Sequence, residues 1–241
     1  MAYEERKYRK MVKGDQLAKF EVVEKETDLL ILADKNLQKE AHAVVLKLRD
    51  ELEQYILKDP MFLKTLRPHR VHFRAPRMVK EMATAGKRVH VGPMASVAGA
   101  IAERVGKELI KHSKEVIVEN GGDVYMKINR PRRVAVFAGK SPFSEKIALE
   151  IDPEQTPVGI CTSAGTVGHS LSFGAADAVV AIAKSTALAD AAATAVGNTI
   201  KSIADIEGGL NMAKRIKGLS SILIIKDDHI GAWGKMKIVA I

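Results

Sequence analysis

Apolar positions along this chain recur at two spacings. Phe20–Val23 and Leu29–Leu32, separated by charged residues and Asp28, predict a hairpin that opens the fold. From Asp34 to Lys58 the positions Leu37, Ala41, Val44, Val45, Leu48, Leu52, Tyr55 and Ile56 follow a helical repeat until Pro60 stops it, which predicts one long amphipathic helix. A second helix is predicted from Pro93 to Lys111, with Pro well placed in its first turn. Short β-branched runs at Glu115–Glu119, Val124–Ile128, Arg133–Ala138, Glu145–Ile151, Val158–Thr162 and Ala178–Ala183 predict strands. Ser185–Asn198 reads as a helix that begins with a cap hydroxyl and ends near Gly197, and Ile203–Lys217 as a last amphipathic helix. Ser220–Ile225 and Met236–Ile241 are expected to close the fold as a strand pair around a polar tip of Asp227, Asp228, His229 and Gly231. The pattern predicts an α+β class with mostly antiparallel or mixed sheets and packed helices.

The chain has 241 residues, 46% of them hydrophobic, enough for one large core, and a single domain over 1–241 is expected. No segment has the roughly 18 consecutive apolar residues of a membrane span, and the charged stretch Met1–Phe20 resembles neither a signal peptide nor an anchor, so a cytoplasmic protein with no membrane contact is expected. Cys161 is the only cysteine, which excludes an internal disulfide or a multi-cysteine metal site within one chain. A formal net charge of +9 points to an anionic ligand or partner. The cations concentrate at Arg6, Lys7, Arg9, Lys10 and Lys13 and again between Arg67 and Arg88. The second stretch also holds Pro68, His69, His72 and Pro76, and reads as an irregular or extended connection, either a phosphate-contacting segment or a solvated basic loop. Only 5% of the residues are aromatic and no nucleic-acid-binding motif is present, which argues against nucleic acid.

Candidate chemistry gathers where side chains are small. Gly159–Asn198 is rich in Gly, Ala, Ser and Thr, residues that let a ligand approach backbone groups, and reads as the wall of a binding site. Gly92, Ser96, Gly99 and Ala100 keep the start of the Pro93 helix narrow, suited either to a phosphate on free amides or to close helix packing. Gly121 and Gly122 form a plain hairpin turn or a surface for a planar ring, with Asp123 beside them as a hydrogen-bond acceptor. Thr162, Ser163, Gly165 and Thr166 can form an anion-binding turn. Ser163 and His169 lack the G-x-S-x-G setting of a hydrolase, and Cys161, in a β-branched strand, reads as a buried inert thiol. Asp190 and Thr194 stand four apart on one helix face, a carboxylate and a hydroxyl suited to a hard cation such as Mg²⁺, unless Asp190 is an ordinary capping or surface residue.

Taken in order, these elements resemble the ApbE family of FAD:protein FMN transferases over Gly92 to about Asn198. The resemblance rests on the Gly-led small-residue helix start at Gly92–Ala100, the strand end Gly121–Gly122–Asp123, the turn Thr162–Gly165, the segment led by His169 and the block Ala189–Ala195. It implies a T-fold-like architecture and a Mg²⁺-dependent flavin (FMN) transferase or FAD pyrophosphate-cleaving activity. It further implies that Asp190 and Thr194 are metal ligands, that Asp123 and His169 are candidate catalytic groups, and that Gly92, Met94, Ser96, Gly121, Gly122, Asp123, Thr162, Ser163, Gly165 and His169 border FAD or FMN. The chain departs from the pattern where Met94–Ala95–Ser96 replaces a Lys-Gly pair and where Ser170–Phe173, in place of Asp-Pro-x-Thr-Gly, follows His169. It therefore resembles the cytoplasmic branch spread through archaea and anaerobic bacteria. Loss of the Lys-Gly pair points, as one alternative, to a flavin-binding module without turnover, and the branch implies another, a non-catalytic accessory protein with a partner in sulfide assimilation and homocysteine formation. A homodimer and a monomer suit the apolar surfaces equally.

Overall fold

The computed structural model describes Arg9, residues 16–165 and residues 173–241. Eight strands form one sheet in the order β1 (Ala18–Glu24), β2 (Thr27–Ala33), β3 (Val116–Asn120), β4 (Asp123–Lys127), β7 (Val158–Ser163), β8 (Ala178–Ala183), β9 (Leu219–Lys226) and β10 (His229–Gly234). A second sheet has the order β11 (Lys237–Ala240), β6 (Ile147–Ile151), β5 (Arg132–Ala135). Neighbouring strands are antiparallel throughout.

The period of two in the strands builds two cores, one on each face of the large sheet. In β8, Val179, Ala181 and Ala183 face the helices, whereas Ala178, Val180 and Ile182 face the small sheet together with Leu149 and Ile151. This is why β8 reads as a continuous apolar run, since both of its faces are dry. The helical layer comprises α1 (Gln38–Lys58), the single turn α2 (Met61–Lys64), α3 (Arg77–Val89), α4 (Val97–Leu109), α5 (Thr186–Gly197) and α6 (Ile206–Lys214). Among the described residues, no helix is long and apolar enough to cross a membrane.

Three expectations change. The basic stretch is not wholly irregular: beyond Pro76 it becomes α3, which buries Met78, Val79, Met82, Ala83, Ala85, Gly86 and Val89 against the core. Its cations occupy the outer face and mask an apolar stripe at helical spacing. Residues 93–96 form a 3₁₀ turn ahead of α4 rather than the first turn of one continuous helix. The closing strands do not pair with each other: β9 turns through Asp227, at φ 53°, into β10, while β11 crosses to the small sheet and pairs with β6. A two-residue polar turn satisfies β9 locally, which frees the last strand for another partner.

Candidate functional site

Helix α5 lies in the centre of the helical layer and is almost entirely buried. Of its twelve residues, only Asp190 and Thr194 retain any appreciable exposure. The small residues around it chiefly serve close packing. A methyl group on Gly159 of β7 would lie 2.4 Å from the Cα of Thr186, and one on Gly99 of α4 would lie 2.7 Å from the Thr186 carbonyl oxygen and 2.8 Å from the Asp190 Cβ. Strand, α4 and α5 therefore meet backbone to backbone. Within α5 the wall expected from the small-residue run is thus packed interior, partly exposed only at one carboxylate and one hydroxyl a helical turn apart.

Asp190 receives a hydrogen bond from the backbone N–H of Gly99 at 2.9 Å. Desolvation still dominates and raises its carboxyl to about 7. Asp123, at the start of β4, points to the same side because the strand alternates, with Tyr125 two residues on in the helix-side core. Burial raises the Asp123 carboxyl well above its ordinary range, and the charges of Asp190 and Glu119 push it further. Its contacts with Cys161 and with the Thr162 backbone N–H oppose the shift without cancelling it. Among the described residues, the buried Oδ1 of Asp123 has no hydrogen-bond partner. A buried acceptor of this kind ordinarily costs about 1–3 kcal/mol unless a ligand, ion or water completes it.

The turn that presents Asp123 is held from several sides. Gly121 and Gly122 have φ of 66° and 101°, the conformation of a two-residue hairpin turn between paired Asn120 and Asp123. The N–H of Gly122 donates to Glu119 Oε1 at 2.8 Å, and Glu119 Oε2 accepts from Arg9 Nε at 2.7 Å. Arg9 also donates to Asp28 Oδ1 at 2.6 Å, so one buried guanidinium joins two acidic groups beneath the turn. Asn120 Nδ2 donates to the Ala98 carbonyl at 3.1 Å and ties the same turn to the start of α4. Glu103 of α4 accepts from the N–H groups of Thr186 at 2.7 Å and Ala187 at 3.4 Å, placing a carboxylate at the positive end of α5. Glu119, Arg9 and Glu103 are not among the site residues expected from the sequence. A carboxylate at the end of a β-branched strand, directly before Gly-Gly, is the one local signal of the turn's support.

The remaining predicted residues scatter. Gly92 is buried, and a methyl group there would meet the Thr65 carbonyl oxygen at 2.0 Å, so its role is contact with the preceding loop. Met94 is half-buried against the core. Ser96 is fully buried and donates its hydroxyl to Pro93 O at 2.8 Å. Thr162 and Ser163 are neighbours on β7, so their side chains leave opposite faces: Ser163 turns toward α5 near Gly197, and Thr162 reaches Asp123 through its backbone N–H. Gly165 is exposed and packs against Gly174. His169 lies outside the described residues. Among the described residues, no three His, Cys, Asp or Glu side chains gather around one point. Asp190 and Thr194 are thus the two partly exposed oxygen-bearing side chains of α5, and the buried Asp123 carboxyl lies within reach of the Asp190 charge.

Cys161 is buried, donates to the Thr186 carbonyl at 3.4 Å, and has its thiol pushed well above the ordinary range by burial and by Asp123 and Asp190. Such a thiol is not a nucleophile. A thiol-specific disulfide reagent is expected to leave Cys161 unmodified in the native protein and to label it fully in denaturant. Rapid native labelling would contradict the burial.

A family model described as AbpE bacteria matches residues 9–217. A UPF0280 protein of Methanocaldococcus jannaschii is 42% identical over 221 residues, covering 89% of this chain and 90% of the relative. A UPF0280 protein of Methanosarcina acetivorans is 39% identical over 215 residues, covering 88% and 85%. Among solved structures, the apo flavinyl transferase ApbE of Pseudomonas stutzeri superposes with a TM-score of 0.62 at 15% identity, over 90% of this chain and 94% of that one. The flavin transferase ApbE of Vibrio cholerae superposes with a TM-score of 0.63 at 14% identity, over 90% and 96%. At these identities the superpositions establish a shared α+β fold.

Proposed function

The chain belongs to the AbpE bacteria family within the ApbE-like superfamily, and from that membership we propose that it binds a flavin nucleotide, FAD or FMN, through Mg²⁺ and acts on the phosphoanhydride of FAD. The observation that carries the proposal is the partial exposure of α5 at Asp190 and Thr194 alone, with Asp190 close enough to the buried Asp123 carboxyl to push it up and Asp123 Oδ1 without a hydrogen-bond partner among the described residues. The donor set fits Mg²⁺: a carboxylate and a hydroxyl on α5, with a second carboxyl beside them, both carboxyls being pushed up chiefly by burial. Asp190 and Thr194 would hold the ion. When bound, Mg²⁺ supplies neutralisation of the pyrophosphate charge.

The chain's own groups then have separable parts. Gly99 orients the Asp190 carboxylate through its N–H. Gly121 and Gly122 allow a flat ligand to approach the backbone, and Glu119 and Asn120 hold that turn in place. Asp123 Oδ1 is the group positioned to accept a proton or a hydrogen bond, with His169 the other candidate. In transfer, an acceptor hydroxyl would bond to the FMN phosphorus as the bond to the AMP oxygen breaks, its proton passing to the base.

The test is a calorimetric titration with FAD, FMN and ADP, with and without Mg²⁺, followed by assay for AMP. Mg²⁺-dependent FAD binding with AMP release is the expected result. Binding without AMP would reduce the protein to a flavin-binding module, and no binding of any nucleotide would remove the flavin reading and leave the sulfur-metabolism accessory role in front.

A pH dependence follows from Asp190. The cation favours the ionised carboxylate, whose folded-state pKa is raised to about 7, so binding must expel a proton at lower pH. Affinity for Mg²⁺ is expected to rise about tenfold per pH unit up to roughly pH 7 and to level off above it. Titration heats compared across buffers of different ionisation enthalpy measure the released proton. A flat profile below pH 7 would exclude Asp190 as a ligand.

A further inference from the structure

The end of α1, the turn α2 and the loop to residue 74 expose large apolar side chains at Leu57, Met61, Leu63, Leu66 and Phe73, the first and last about three-quarters exposed at 74% and 73%. Interspersed with them are Lys58, Lys64, Arg67, Arg70 and Arg74, all exposed, with no carboxylate partner among the described residues. The one acidic residue in this stretch, Asp59, is engaged by His69 at 2.7 Å and by the Tyr55 hydroxyl at 3.2 Å.

The loop carrying these groups is fixed from beneath. Phe62 is fully buried between the rings of Tyr55 and His69, at 5.3 and 6.3 Å. The His72 N–H donates to the Tyr55 hydroxyl at 3.4 Å, bringing the far end of the loop back beside the end of α1. His72 lies against the Phe73 ring at 4.4 Å, and the Arg74 guanidinium sits 5.2 Å from its centroid. Anchors inside and apolar side chains outside make a preordered surface whose binding costs little further ordering. Contiguous exposed apolar groups of this kind mark interaction sites.

We propose that this surface docks an acidic segment of another protein in which carboxylates alternate with apolar side chains. Charge complementarity selects the occupant. A second copy of the chain would set cations against cations in a two-fold contact. The chain's own residues 1–15 carry Arg6, Lys7, Arg9, Lys10 and Lys13 against Glu4, Glu5 and Asp15, a net positive charge. An in-plane membrane helix segregates its apolar and cationic faces, whereas here the two kinds alternate around a loop and a single helical turn. A nucleic acid would find one exposed aromatic ring and no use for Leu57, Met61, Leu63 and Leu66. An acidic amphipathic segment satisfies both sets of groups at once.

The test uses the full chain and a labelled synthetic peptide of alternating glutamate, leucine and phenylalanine, read by fluorescence anisotropy. A lysine-substituted peptide, a single-stranded oligonucleotide and anionic phosphatidylglycerol vesicles serve as competing probes. Two double variants, Leu66→Ser with Phe73→Ser and Arg67→Glu with Arg70→Glu, alter exposed positions, and an unchanged Tm confirms that each folds. Binding of the acidic peptide, weakened about tenfold or more in each variant and by added salt, is the expected result. Absence of peptide binding, binding indifferent to both variants, or preferential binding of oligonucleotide or vesicles would overturn the proposal. None of these outcomes depends on nucleotide binding, so this surface and the flavin site stand or fall separately.

Discussion

Asp190→Asn is expected to abolish Mg²⁺-dependent nucleotide binding while stabilising the ligand-free protein above neutral pH. The two effects have one origin. The amide keeps an oxygen to accept the Gly99 N–H but carries no charge to hold a cation. In the folded protein the Asp190 carboxyl is raised from 3.8 to about 7, so between those values the native state binds more protons than the unfolded chain. Stability contributed by this group therefore falls as pH rises through that window, and the full cost is present above about pH 7. At about 1.4 kcal/mol per pKa unit the shift bounds the cost at a few kcal/mol, and partial exposure reduces it to roughly 1–3 kcal/mol. For a domain of this size that is a Tm higher by about 2–4 °C per kcal/mol at pH 8, with no gain near pH 4. Thermal unfolding of both proteins at the two pH values, with Mg²⁺ and FAD titrations at the higher one, measures the set. Retained Mg²⁺-dependent binding, or a Tm difference that ignores pH, would refute the assignment.

Glu103→Ala is expected to lower stability by about 2–4 kcal/mol and to weaken cation binding at a site the residue does not touch. Its carboxylate satisfies the first N–H groups of α5, buried donors that lose their partner on truncation. It also supplies the negative charge that a helix N-terminus favours. The expected fall in Tm is roughly 5–15 °C. Since α5 carries Asp190 and Thr194, a shift of its first turn displaces both oxygens relative to Asp123. Glu103→Gln retains an acceptor and should recover part of the stability and most of the binding. If alanine at this position leaves Tm within about 1 °C of the parent, the capping role is wrong.

Much of the architecture is legible in the pattern of apolar residues. The hairpin of β1 and β2, the long helix α1, the strand β8 and the cap hydroxyl of Ser185 all follow from local spacing and residue type, because each is decided within one element. Where locally plausible features competed, local reading failed. The cations of residues 77–88 line the outer face of α3 and obscure, in the sequence, the apolar stripe that makes it a core helix. The last strand and β9 each have strand character, and nothing in either run says that β11 belongs to the other sheet.

By itself, the sequence determined the residue chemistry: an oxygen pair four apart on a helix, a Gly-Gly turn ending in an aspartate, and one cysteine in a strand, in an order that resembles the ApbE family. Only the tertiary structure decided which of these groups meet. It put Asp123 and Asp190 on one side, sent the side chains of Thr162 and Ser163 to opposite faces, and turned most of the small residues into packing contacts. It also recruited Glu119, Arg9 and Glu103, whose partners lie in other elements of the fold. The reason is physical: spacing fixes which face of its own element a side chain occupies, but desolvation and partnering depend on what the rest of the chain packs against that face.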